Sequence, residues 1–493
     1  MKYFLTKKNS YQIDNFFINE IGIESKILME NAAHSTFKKI LQLSEIEYVR
    51  NVLILCGSGN NGGDGFALAR YLSNEFKVDI YFNSNEDKMS EETRSNYNIC
   101  KKLGLTINNQ INDKNYDLVI ESMIGIGVDE NINTELEKIL QKINQISGVK
   151  IAIDSPAGIN VDNGNAHKNA FKADYTFSMF SSKIGFYFNQ AKDYIGKVVD
   201  VNLGTPDRYL SQFTKYKALD ELDLISIHKP RISDSSKFDY GRIAIIAGSR
   251  NMLGAGTLAA NAAINTGAGL VHLISTNRHS QLLPEIICHT FDENKYGSLP
   301  FNKIDEILEI TSKADTILIG PGLSNDNEVL RLTQKLIEEN QDKKIILDAD
   351  ALKCLDIDSE LGSNFIITPH TGEMSNITNL ERTYIENNRI NVIEEWSRKL
   401  KCCILLKGNP TLISDSSEVY LNLTGNAGLA TAGSGDVLSG ILAAVYSKYE
   451  NQIISGAISA YIHGKIADDY TKNYSQSSLT ASKIISELKN YEI

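Results

Sequence analysis

Short apolar runs alternate with longer stretches of helical spacing along the first half of the chain. The run Val52–Cys56 is followed by a Gly-rich segment and then by apolar positions at helical spacing from Phe66 to Phe76. Further strand-like runs occur at Val78–Phe82, Asp117–Glu121, Lys150–Asp154, Tyr175–Met179 and Val198–Val201. Strands separated by helical stretches are typical of βαβ units, so this half predicts a parallel sheet covered by helices on both faces.

The same alternation restarts in the second half, after a polar segment that extends from Leu203 to about Lys229–Pro230. Strands are predicted within Arg242–Gly248, Leu270–Ser275, Thr316–Gly320, Lys344–Asp350, Phe365–Pro369 and Cys402–Gly408. The pattern therefore predicts two α/β domains, one over residues 1–215 and the other over residues 225–493.

Composition narrows the class of protein. The 50 Lys and Arg residues against 61 Asp and Glu residues give a net charge of −11, which disfavours a broad nucleic-acid or anionic-membrane binder. The six cysteines include no closely spaced CxxC pair, which is typical of a reduced compartment. The start of the chain lacks a signal-peptide pattern, and the uncharged stretch Leu253–Leu273 contains too many polar residues for a membrane span. We expect a cytoplasmic protein whose partners are small molecules.

The Gly-rich segment after the first long strand carries the first candidate chemistry. It satisfies the dinucleotide-binding pattern GxGxxG through Gly57, Gly59 and Gly62, but the acidic residue expected at the end of the next strand is absent. A P-loop is excluded because no Lys–Ser or Lys–Thr pair follows. The segment combines several glycines, which leave the backbone accessible, with the oxygen-bearing side chains of Asn60, Asn61 and Asp64. These oxygens suit a hard cation or a ligand with several hydroxyl groups.

Two other loops are expected to meet this segment. Glu121 ends one strand just before Gly125 and Gly127, and Asp154 ends the next strand along the chain. In parallel α/β sheets, ligands bind at the carboxyl ends of the strands, so we expect the three loops to form one site. A carboxylate there can act as a general acid or base.

The motifs of this half resemble those of NAD(P)H-hydrate epimerases. The matching segments, in the family's order, are MENAA (Met29–Ala33), NNGGDG (Asn60–Gly65), ESMIGIG (Glu121–Gly127), DSPAG (Asp154–Gly158), SSKIGFY and VNLGTP. The resemblance implies a Rossmann-like three-layer sandwich that interconverts the R and S forms of hydrated NADH and NADPH and binds a potassium ion.

Site residues follow from this resemblance position by position. It implies hydrate binding by Asn60, Asn61, Gly62, Gly63, Asp64, Gly125, Ile126, Gly127, Val128, Asp129, Glu130, Asn131 and Asp154, and potassium binding by Asn61, Glu121 and the Ala157 carbonyl. Asp154 is the expected acid/base residue. The family usually has Asp at the position of Glu121 and Ser at the position of Ala157.

The second candidate site lies near the carboxyl terminus. Glycines precede a helical pattern that begins at Val437, and bare N–H groups at a helix start bind phosphate. Asp436 stands at this start, where a carboxylate can accept a proton from an attacking hydroxyl. Lys407–Thr411 follows a buried strand and offers a cation and backbone donors to phosphates, and His370 follows another strand.

This half resembles the ribokinase-like fold and, more closely, NAD(P)H-hydrate dehydratases. The matching segments are GRIAIIAGS, AANAAINTGAGLVHL, IGPGLS, LDADAL, ITPHTGEM, LLKGNPT and AGSGDVLSG. The resemblance implies that Ala255, Gly322, His370 and Asp436 contact the hydrate, with Asp436 catalytic, and that Lys407, Gly408, Asn409, Pro410, Thr411 and Gly435 contact the nucleotide. It further implies Mg²⁺ and a phosphoryl donor, with ADP and ATP both open. Thr371 stands where the family commonly has Pro.

The two resemblances together imply one bifunctional repair enzyme, because a dehydratase that accepts only one epimer leaves the other epimer unconverted. Two alternatives stay open at this point. One is a ribokinase-like small-molecule kinase with a non-catalytic N-terminal binding domain, which would release a stable phosphorylated product. The other is an N-terminal fold that serves only as a scaffold. We also expect a homo-oligomer.

Overall fold

The computed structural model describes residues 1–112, 114–127 and 129–492. The chain divides into two compact units, Tyr3–Tyr216 and Lys217–Ile493, the second of which includes Met1–Lys2. Its strands are β1 (Lys2–Tyr3), β2 (Asn51–Cys56), β3 (Lys77–Tyr81), β4 (Thr106–Asn108), β5 (Leu118–Ser122), β6 (Val149–Ile153), β7 (Tyr175–Met179), β8 (Lys197–Val201), β9 (Tyr216–Ala218), β10 (Arg242–Ile246), β11 (Leu270–Ser275), β12 (Ile287–Thr290), β13 (Thr316–Ile319), β14 (Lys344–Leu347), β15 (Phe365–Ile367), β16 (Cys403–Leu406), β17 (Thr411–Ser414) and β18 (Val419–Asn422).

The α-helices connect these strands in chain order. They are α1 (Lys7–Asn15), α2 (Ser25–Ile40), α3 (Asn60–Leu72), α4 (Glu91–Lys102), α5 (Thr134–Asn144), α6 (Glu221–Ile227), α7 (Leu253–Asn265), α8 (Ile304–Thr311), α9 (Asn327–Glu339), α10 (Thr371–Thr378), α11 (Arg382–Asn387), α12 (Arg389–Leu400), α13 (Ser434–Lys448), α14 (Gln452–Tyr470) and α15 (Ala481–Glu487).

The N-terminal unit is built on a parallel sheet of order β4-β3-β2-β5-β6-β7-β8. Alternate residues of β2 enter different cores: Val52 and Ile54 pack on one face, and Leu53 and Leu55 pack on the other. Burial on both faces explains why β2 is apolar throughout. The strand order reverses between β2 and β5, and the carboxyl ends of these strands are therefore where this sheet is expected to bind a ligand.

Helix α3 begins earlier than the sequence pattern predicts. The pattern places Asn60–Gly65 in a loop and starts the helix at Phe66, whereas the structure has Asn60 in the first helical turn behind Gly59. Tertiary contact explains this difference. A Cβ on Gly62 would lie 1.9 Å from the Gly57 carbonyl oxygen, so the turn closes only because Gly62 has no side chain.

The C-terminal unit has a larger sheet, in which the strands β18-β17-β16-β15-β14-β13-β10-β11-β12 are neighbours. The strands from β16 to β12 run parallel, whereas β17 pairs antiparallel with β16 and β18. The sequence pattern did not predict the strands β17 and β18, and it placed Thr411, the first residue of β17, in a loop. The strand order reverses between β13 and β10.

Helices α7 and α13 pack closely against each other over this sheet. A Cβ on Gly440 of α13 would lie 2.1 Å from the Ala259 carbonyl oxygen of α7, so the small residues of these helices allow their backbones to approach. Helix α13 starts at Ser434, three residues before the predicted Val437. Across the described ranges, we find no helix that is both long enough and apolar enough to cross a membrane.

Candidate active sites

A cavity of about 580 Å³ opens at the carboxyl ends of β2 and β5 in the N-terminal unit. Its wall is formed by the segments that follow these strands, by the loop after β6 and by the helices α1 and α2. The polar lining side chains are Ser10, Tyr11, Asp14, Ser25, Ser58, Asn60, Asn61, Asp64, Asp154 and Lys183. The cavity therefore lies where the strand order reverses, as expected for this type of sheet.

The three loops singled out in the sequence meet at Gly125. A Cβ at this position would lie 3.2 Å from the amide carbon of Asn61 and 3.2 Å from Asp154 Oδ2. The hydroxyl of Ser122 also donates a hydrogen bond to the main-chain oxygen of Asn61. The loops after β2, β5 and β6 thus form one wall, with the Asp154 carboxylate exposed to the cavity.

Asp154 is fixed by a buried lysine. Its Oδ1 accepts hydrogen bonds from Lys183 Nζ at 2.8 Å and from the Met179 N–H at 3.1 Å. The Lys183 side chain is 1% exposed, and it also donates to Ser178 Oγ and to the carbonyls of Met179 and Ser181. These contacts hold the Asp154 carboxyl in one orientation at the cavity wall.

The backbone at this position is strained. Asp154 has φ of 66° and Phe180, on the same cavity wall, has φ of 61°. Non-glycine residues adopt this conformation at a cost, and such strain is concentrated at functional sites.

Glu121 lies beneath the cavity floor and is fully buried. Its Oε1 accepts hydrogen bonds from the N–H groups of Met123 and Ile124, and its Oε2 accepts one from the Ala157 N–H at 3.0 Å. Burial raises the pKa of Glu121 to about 7, although these three donors oppose the shift. The longer side chain thus ties together the loops after β5 and β6.

The residues proposed for potassium have suitable chemistry. A carboxylate, an amide oxygen and a main-chain carbonyl are oxygen donors of the kind that hard cations prefer. The Ala157 carbonyl accepts a hydrogen bond from the Phe171 N–H, and a carbonyl oxygen has a second lone pair. Asn61, Glu121 and Ala157 therefore supply oxygen donors of the type that a hard cation accepts.

Two further carboxyls face the same cavity. Burial, and the neighbouring charge of Asp154, raise the pKa of Asp14 to about 6, while Lys183 opposes the shift. Burial likewise raises the pKa of Asp64 well above its usual range, with contributions from Asp154 and Asp14. The cavity thus combines a carboxylate paired with lysine and two carboxyls that tend to keep their protons.

The structure places the other predicted residues of this site in different ways. Asn60, Asn61, Asp64, Gly125, Ile126 and Gly127 line the cavity, whereas Gly62 and Gly63 are buried inside α3. Asp129 accepts hydrogen bonds from the N–H and the side chain of Asn131. Neither of these two residues, nor Glu130, is among the described residues that line the cavity. Val128 lies outside the described residues.

The predicted residues of the C-terminal unit also lie at the carboxyl ends of strands. Gly322 follows β13, and a Cβ on it would lie 2.9 Å from the Cβ of Ala255 in α7. The two residues implied to contact the hydrate are therefore adjacent, at the point where the strand order reverses between β10 and β13. A side chain on Gly322 would also lie 2.8 Å from the Met252 carbonyl oxygen, so glycine is required here for the loop after β13 to pack against the start of α7.

Lys407 is the centre of a charged network. Its Nζ donates to Asp348 Oδ1 at 2.9 Å and lies 3.7 Å from Glu373 Oε2. A Cβ on Gly435 would lie 3.9 Å from the same nitrogen, so the start of α13 adjoins this lysine. The buried Asp348 carboxylate also accepts from the hydroxyls of Thr368 and Ser439. Despite its burial, Lys407 and these hydroxyls hold the pKa of Asp348 below its usual range.

Asp436 lies in the first turn of α13, where its surroundings raise the pKa of its carboxyl. Burial, and the charges of Asp348 and Asp350, raise the pKa of Asp436 to about 7, while Lys407 opposes the shift. A carboxyl with a pKa near 7 can both accept and release a proton at neutral pH, which is the property required of a general base.

His370 is exposed at the start of α10. Its Nδ1 accepts hydrogen bonds from the N–H groups of Gly372 and Glu373, so the ring caps the helix and keeps a proton on Nε2 when it is neutral. Its side chain is 59% exposed. The Glu373 carboxylate accepts from the His370 N–H and approaches Lys407, which links His370 to the charged network.

The loop Lys407–Thr411 is held from beneath by Arg389 of α12. The guanidinium donates to the carbonyls of Leu406, Lys407 and Pro410 at 3.1 to 3.2 Å. Arg389 thus fixes three carbonyl groups of this region, and the Lys407 N–H donates to the Pro369 carbonyl, so the loop is held on both sides by contacts within the unit.

Sequence reasoning did not identify five residues of these sites: Asp14, Lys183, Asp348, Glu373 and Arg389. Lys183, Asp348 and Glu373 lie inside segments that supported the family resemblances, so position within a motif was an available signal. Asp14 and Arg389 lie in amphipathic helices outside those segments, where an ionisable residue usually faces solvent.

Comparisons with known proteins agree with this geometry. Residues 25–185 match a family model described as YjeF-related protein N-terminus, and residues 243–490 match one described as NAD(P)H-hydrate dehydratase. The bifunctional NAD(P)H-hydrate repair enzyme Nnr of Dictyoglomus turgidum is 34% identical and the alignment covers 98% of this chain and 96% of that protein. Its namesake in Escherichia coli K12 is 27% identical over 95% of this chain and 90% of the relative.

Among solved structures, a ribokinase-like superfamily protein of Enterococcus faecalis V583 matches with a TM-score of 0.50 and 27% identity. The match covers 57% of this chain and 96% of that chain. The α/β class and the ribokinase-like C-terminal fold predicted from the sequence are confirmed.

Proposed function

The chain belongs to the family of bifunctional NAD(P)H-hydrate repair enzymes, and from this premise we propose that it returns both epimers of hydrated NADH and NADPH to the reduced cofactor. The N-terminal unit, proposed as domain 1–215, interconverts the R and S forms. The C-terminal unit, proposed as domain 225–493, dehydrates the S form. One observation supports this assignment most directly: each unit holds its own carboxyl in a strand-end site, Asp154 in one and Asp436 in the other.

In the N-terminal cavity, Asp154 is the proposed acid/base residue at the ring carbon that carries the hydroxyl. Lys183 orients its carboxylate through a hydrogen bond of 2.8 Å. The residues Asn60, Asn61, Asp64 and Gly125–Gly127 bind the hydrate through their polar groups and bare backbone. A potassium ion held by Asn61, Glu121 and Ala157 would supply positive charge near the polar part of the ligand.

In the C-terminal site, the nucleotide phosphates bind to the loop Lys407–Thr411 and to the N–H group of Gly435. The ring hydroxyl of the hydrate attacks the terminal phosphorus, and its proton passes to Asp436. The bond from this phosphorus to the bridging oxygen breaks, so the nucleotide leaves with one phosphate fewer. The new phosphate ester then departs with its C–O electron pair, the neighbouring ring carbon loses a proton to the released phosphate, and the ring double bond is restored.

Magnesium is proposed to accompany the nucleotide. Mg²⁺ usually binds through one or two carboxylates together with substrate phosphates, and Asp350, whose charge acts on Asp436, supplies a carboxylate at this site. Its charge would offset that of the phosphates. Either ADP or ATP presents the same phosphates to Lys407–Thr411. The homo-oligomer and the cytoplasmic location stay predictions.

The experiment that tests this function uses a mixture of R and S NADH hydrate with Mg²⁺, K⁺ and either ADP or ATP. We expect complete recovery of NADH absorbance, faster than the spontaneous epimerisation rate, with the active nucleotide identifying the donor. Recovery of the S fraction alone would contradict the epimerase assignment. A stable phosphorylated product without NADH would instead indicate the small-molecule kinase.

A further inference from the structure

Asp14 lies on the wall of the N-terminal cavity, and none of the roles proposed above for the residues of this site involves it. It projects from α1, an element that contributes none of the predicted site residues. Within the described ranges, its carboxyl forms no hydrogen bond or ion pair, although most of the side chain is shielded from water. A partly buried carboxyl without a partner destabilises the fold, so its place on a cavity wall calls for a functional reason.

The charged surroundings of Asp14 differ from those of Asp154. Asp154 Oδ1 accepts a hydrogen bond from Lys183 Nζ at 2.8 Å. Asp14 faces the negative charge of Asp154 at longer range, and the other titratable groups on the cavity wall are Tyr11, Asp64 and Lys183. Asp154 therefore has a cationic hydrogen-bond partner and Asp14 has none among the described residues, so the two carboxyls of this cavity have different charged surroundings.

Inversion of the hydrate requires an acid and base pair. The hydroxyl is attached to a ring carbon next to the ring nitrogen, so the nitrogen lone pair can expel it as water once it is protonated. The resulting iminium ion is planar, and inversion follows when water adds to the opposite face. One group must donate a proton on one face, and another must accept a proton on the other.

We propose that Asp14 is the second acid/base residue of the epimerase and acts on the ring face opposite Asp154. This inference rests on the proposed function of the N-terminal unit. In one direction, the Asp14 carboxyl protonates the departing hydroxyl, the C–O bond breaks and water leaves. A second water forms the new C–O bond and passes its proton to Asp154. The reverse direction exchanges the roles, and solvent resets the two protons.

Asp64 is the other carboxyl that could fill this role. It belongs to α3, in the segment Asn60–Gly65 that is proposed to bind the hydrate, and it is adjacent in sequence to the buried Gly63. Asp14 comes from a different element than the three loops that carry Asp154 and Asn61. An acid on a separate element can reach a face of the ring that the loops do not cover, and for this reason the assignment falls on Asp14.

The test compares Asp14→Asn with Glu20→Gln in the full chain. Glu20 is exposed, lies shortly after α1 and does not line the cavity, so its replacement removes a carboxylate without touching the site. We expect Asp14→Asn to lower kcat for epimerisation about a hundredfold or more, with a smaller change in KM, because proton transfer by a positioned group contributes about 10² to 10⁴. Glu20→Gln should match the unchanged chain. Asp14→Glu should recover part of the rate.

Two further readouts separate catalysis from a structural effect. Hydroxyl loss predicts that each inversion in H₂¹⁸O places one ¹⁸O on the product, and that Asp14→Asn slows inversion and exchange equally. The unchanged chain should lose kcat/KM as pH rises above about 6, and Asp14→Asn should lack this limb. Thermal melting of both variants establishes that they are folded.

The outcomes distinguish this inference from the function on which it rests. If the unchanged chain does not accelerate epimerisation at all, the proposed function fails. If it does, and folded Asp14→Asn retains more than about a third of kcat with the same pH profile, Asp14 is not an acid/base residue. Inversion without ¹⁸O exchange would overturn the hydroxyl-loss step and with it the role of Asp14.

Discussion

At the scale of single residues, both sites hold carboxyls in environments that disfavour charge. Burial raises the pKa of Asp14 to about 6 and the pKa of Asp436 to about 7. In the C-terminal unit, Lys407 and two hydroxyl groups hold the pKa of Asp348 below its usual range, and in the N-terminal unit Lys183 donates a hydrogen bond to Asp154. Each site therefore combines a carboxyl that has a lysine partner with a carboxyl whose pKa is raised by burial, and the raised pKa has a cost in folding stability that can be measured.

The cost at Asp14 depends on pH in a defined direction. Its pKa is 3.8 in ordinary surroundings and about 6 in the fold, so between these values the unfolded chain ionises and the folded chain does not. Stability therefore falls as pH rises from about 4 to about 6 and then stays low. Asp14→Asn cannot ionise and should be more stable by about 3 kcal/mol at pH 8, with nearly equal stability at pH 3.5. Thermal melting of the N-terminal transition at both pH values measures this; a variant less stable at pH 8 would contradict it.

Asp436 should show the opposite pH dependence in its reaction, because a base acts only when ionised. With its pKa raised to about 7, kcat/KM for dehydration of the S hydrate should increase with pH up to about 7 and then level off. Asp436→Asn should lower dehydration about 10² to 10⁴-fold without this pH limb. The exposed Asp358 provides the matched control, and Asp358→Asn should leave the profile unchanged. A normal profile in Asp436→Asn would exclude it as the base.

At the scale of elements, the strands were more predictable from the sequence than the helix starts. Strands such as β2 are apolar on both faces, so a continuous run of apolar residues is enough to predict a buried strand. The first turn of α3 contains Asn and Gly, which have low helix propensity, and it forms because Gly62 fits against the Gly57 carbonyl. The close approach of Gly62 to Gly57 exists only in the folded chain, and the spacing of apolar residues in the sequence does not reveal it.

The same limit explains which site residues were missed. Asp154 ends an apolar run, and Asp436 follows a glycine-rich segment at a helix start, so in both cases the local pattern indicates a ligand. Asp14 and Arg389 are charged residues in amphipathic helices, and only the packing of α1 and α12 turns them inward. The pairing of Asp154 with Lys183 likewise spans separate loops, and no spacing rule predicts it.

Helix α12 should control nucleotide affinity through Arg389. Arg389→Met keeps the length of the side chain but removes the donors to the carbonyls of Leu406, Lys407 and Pro410. Each lost hydrogen bond from a charged group is worth about 1.5 to 3 kcal/mol, so we expect KM for the nucleotide to rise at least about tenfold. The KM for the hydrate should change less, and epimerisation should be unaffected.

Arg398, exposed in the last turn of the same helix, supplies the control for this prediction. Arg398→Met removes an identical charge from α12 and should leave the nucleotide KM as it was. Titration of the nucleotide followed by calorimetry would give the same ranking without turnover. Equal nucleotide affinities for Arg389→Met and the unchanged protein would show that Arg389 does not position the loop.

At the scale of the whole molecule, one chain combines two activities that share a substrate, and we propose that each uses its own carboxyl. The S form is consumed by one unit, and the R form is useful only after conversion by the other. The hydrate is a small, freely diffusing ligand, so the two activities need no common site. This separation predicts that each activity can be removed alone and supplied by another copy of the chain.

Mixing single-site variants tests this prediction directly. Asp154→Asn alone should recover only the S fraction of mixed NADH hydrate, beyond the slow spontaneous conversion, and Asp436→Asn alone should recover none. An equimolar mixture of the two should recover all the NADH, because each variant retains the site that the other lacks and the hydrate diffuses between molecules. If the mixture stops at the S fraction while both variants remain folded, Asp154 and Asp436 do not belong to independent sites, and the assignment of one reaction to each unit is wrong.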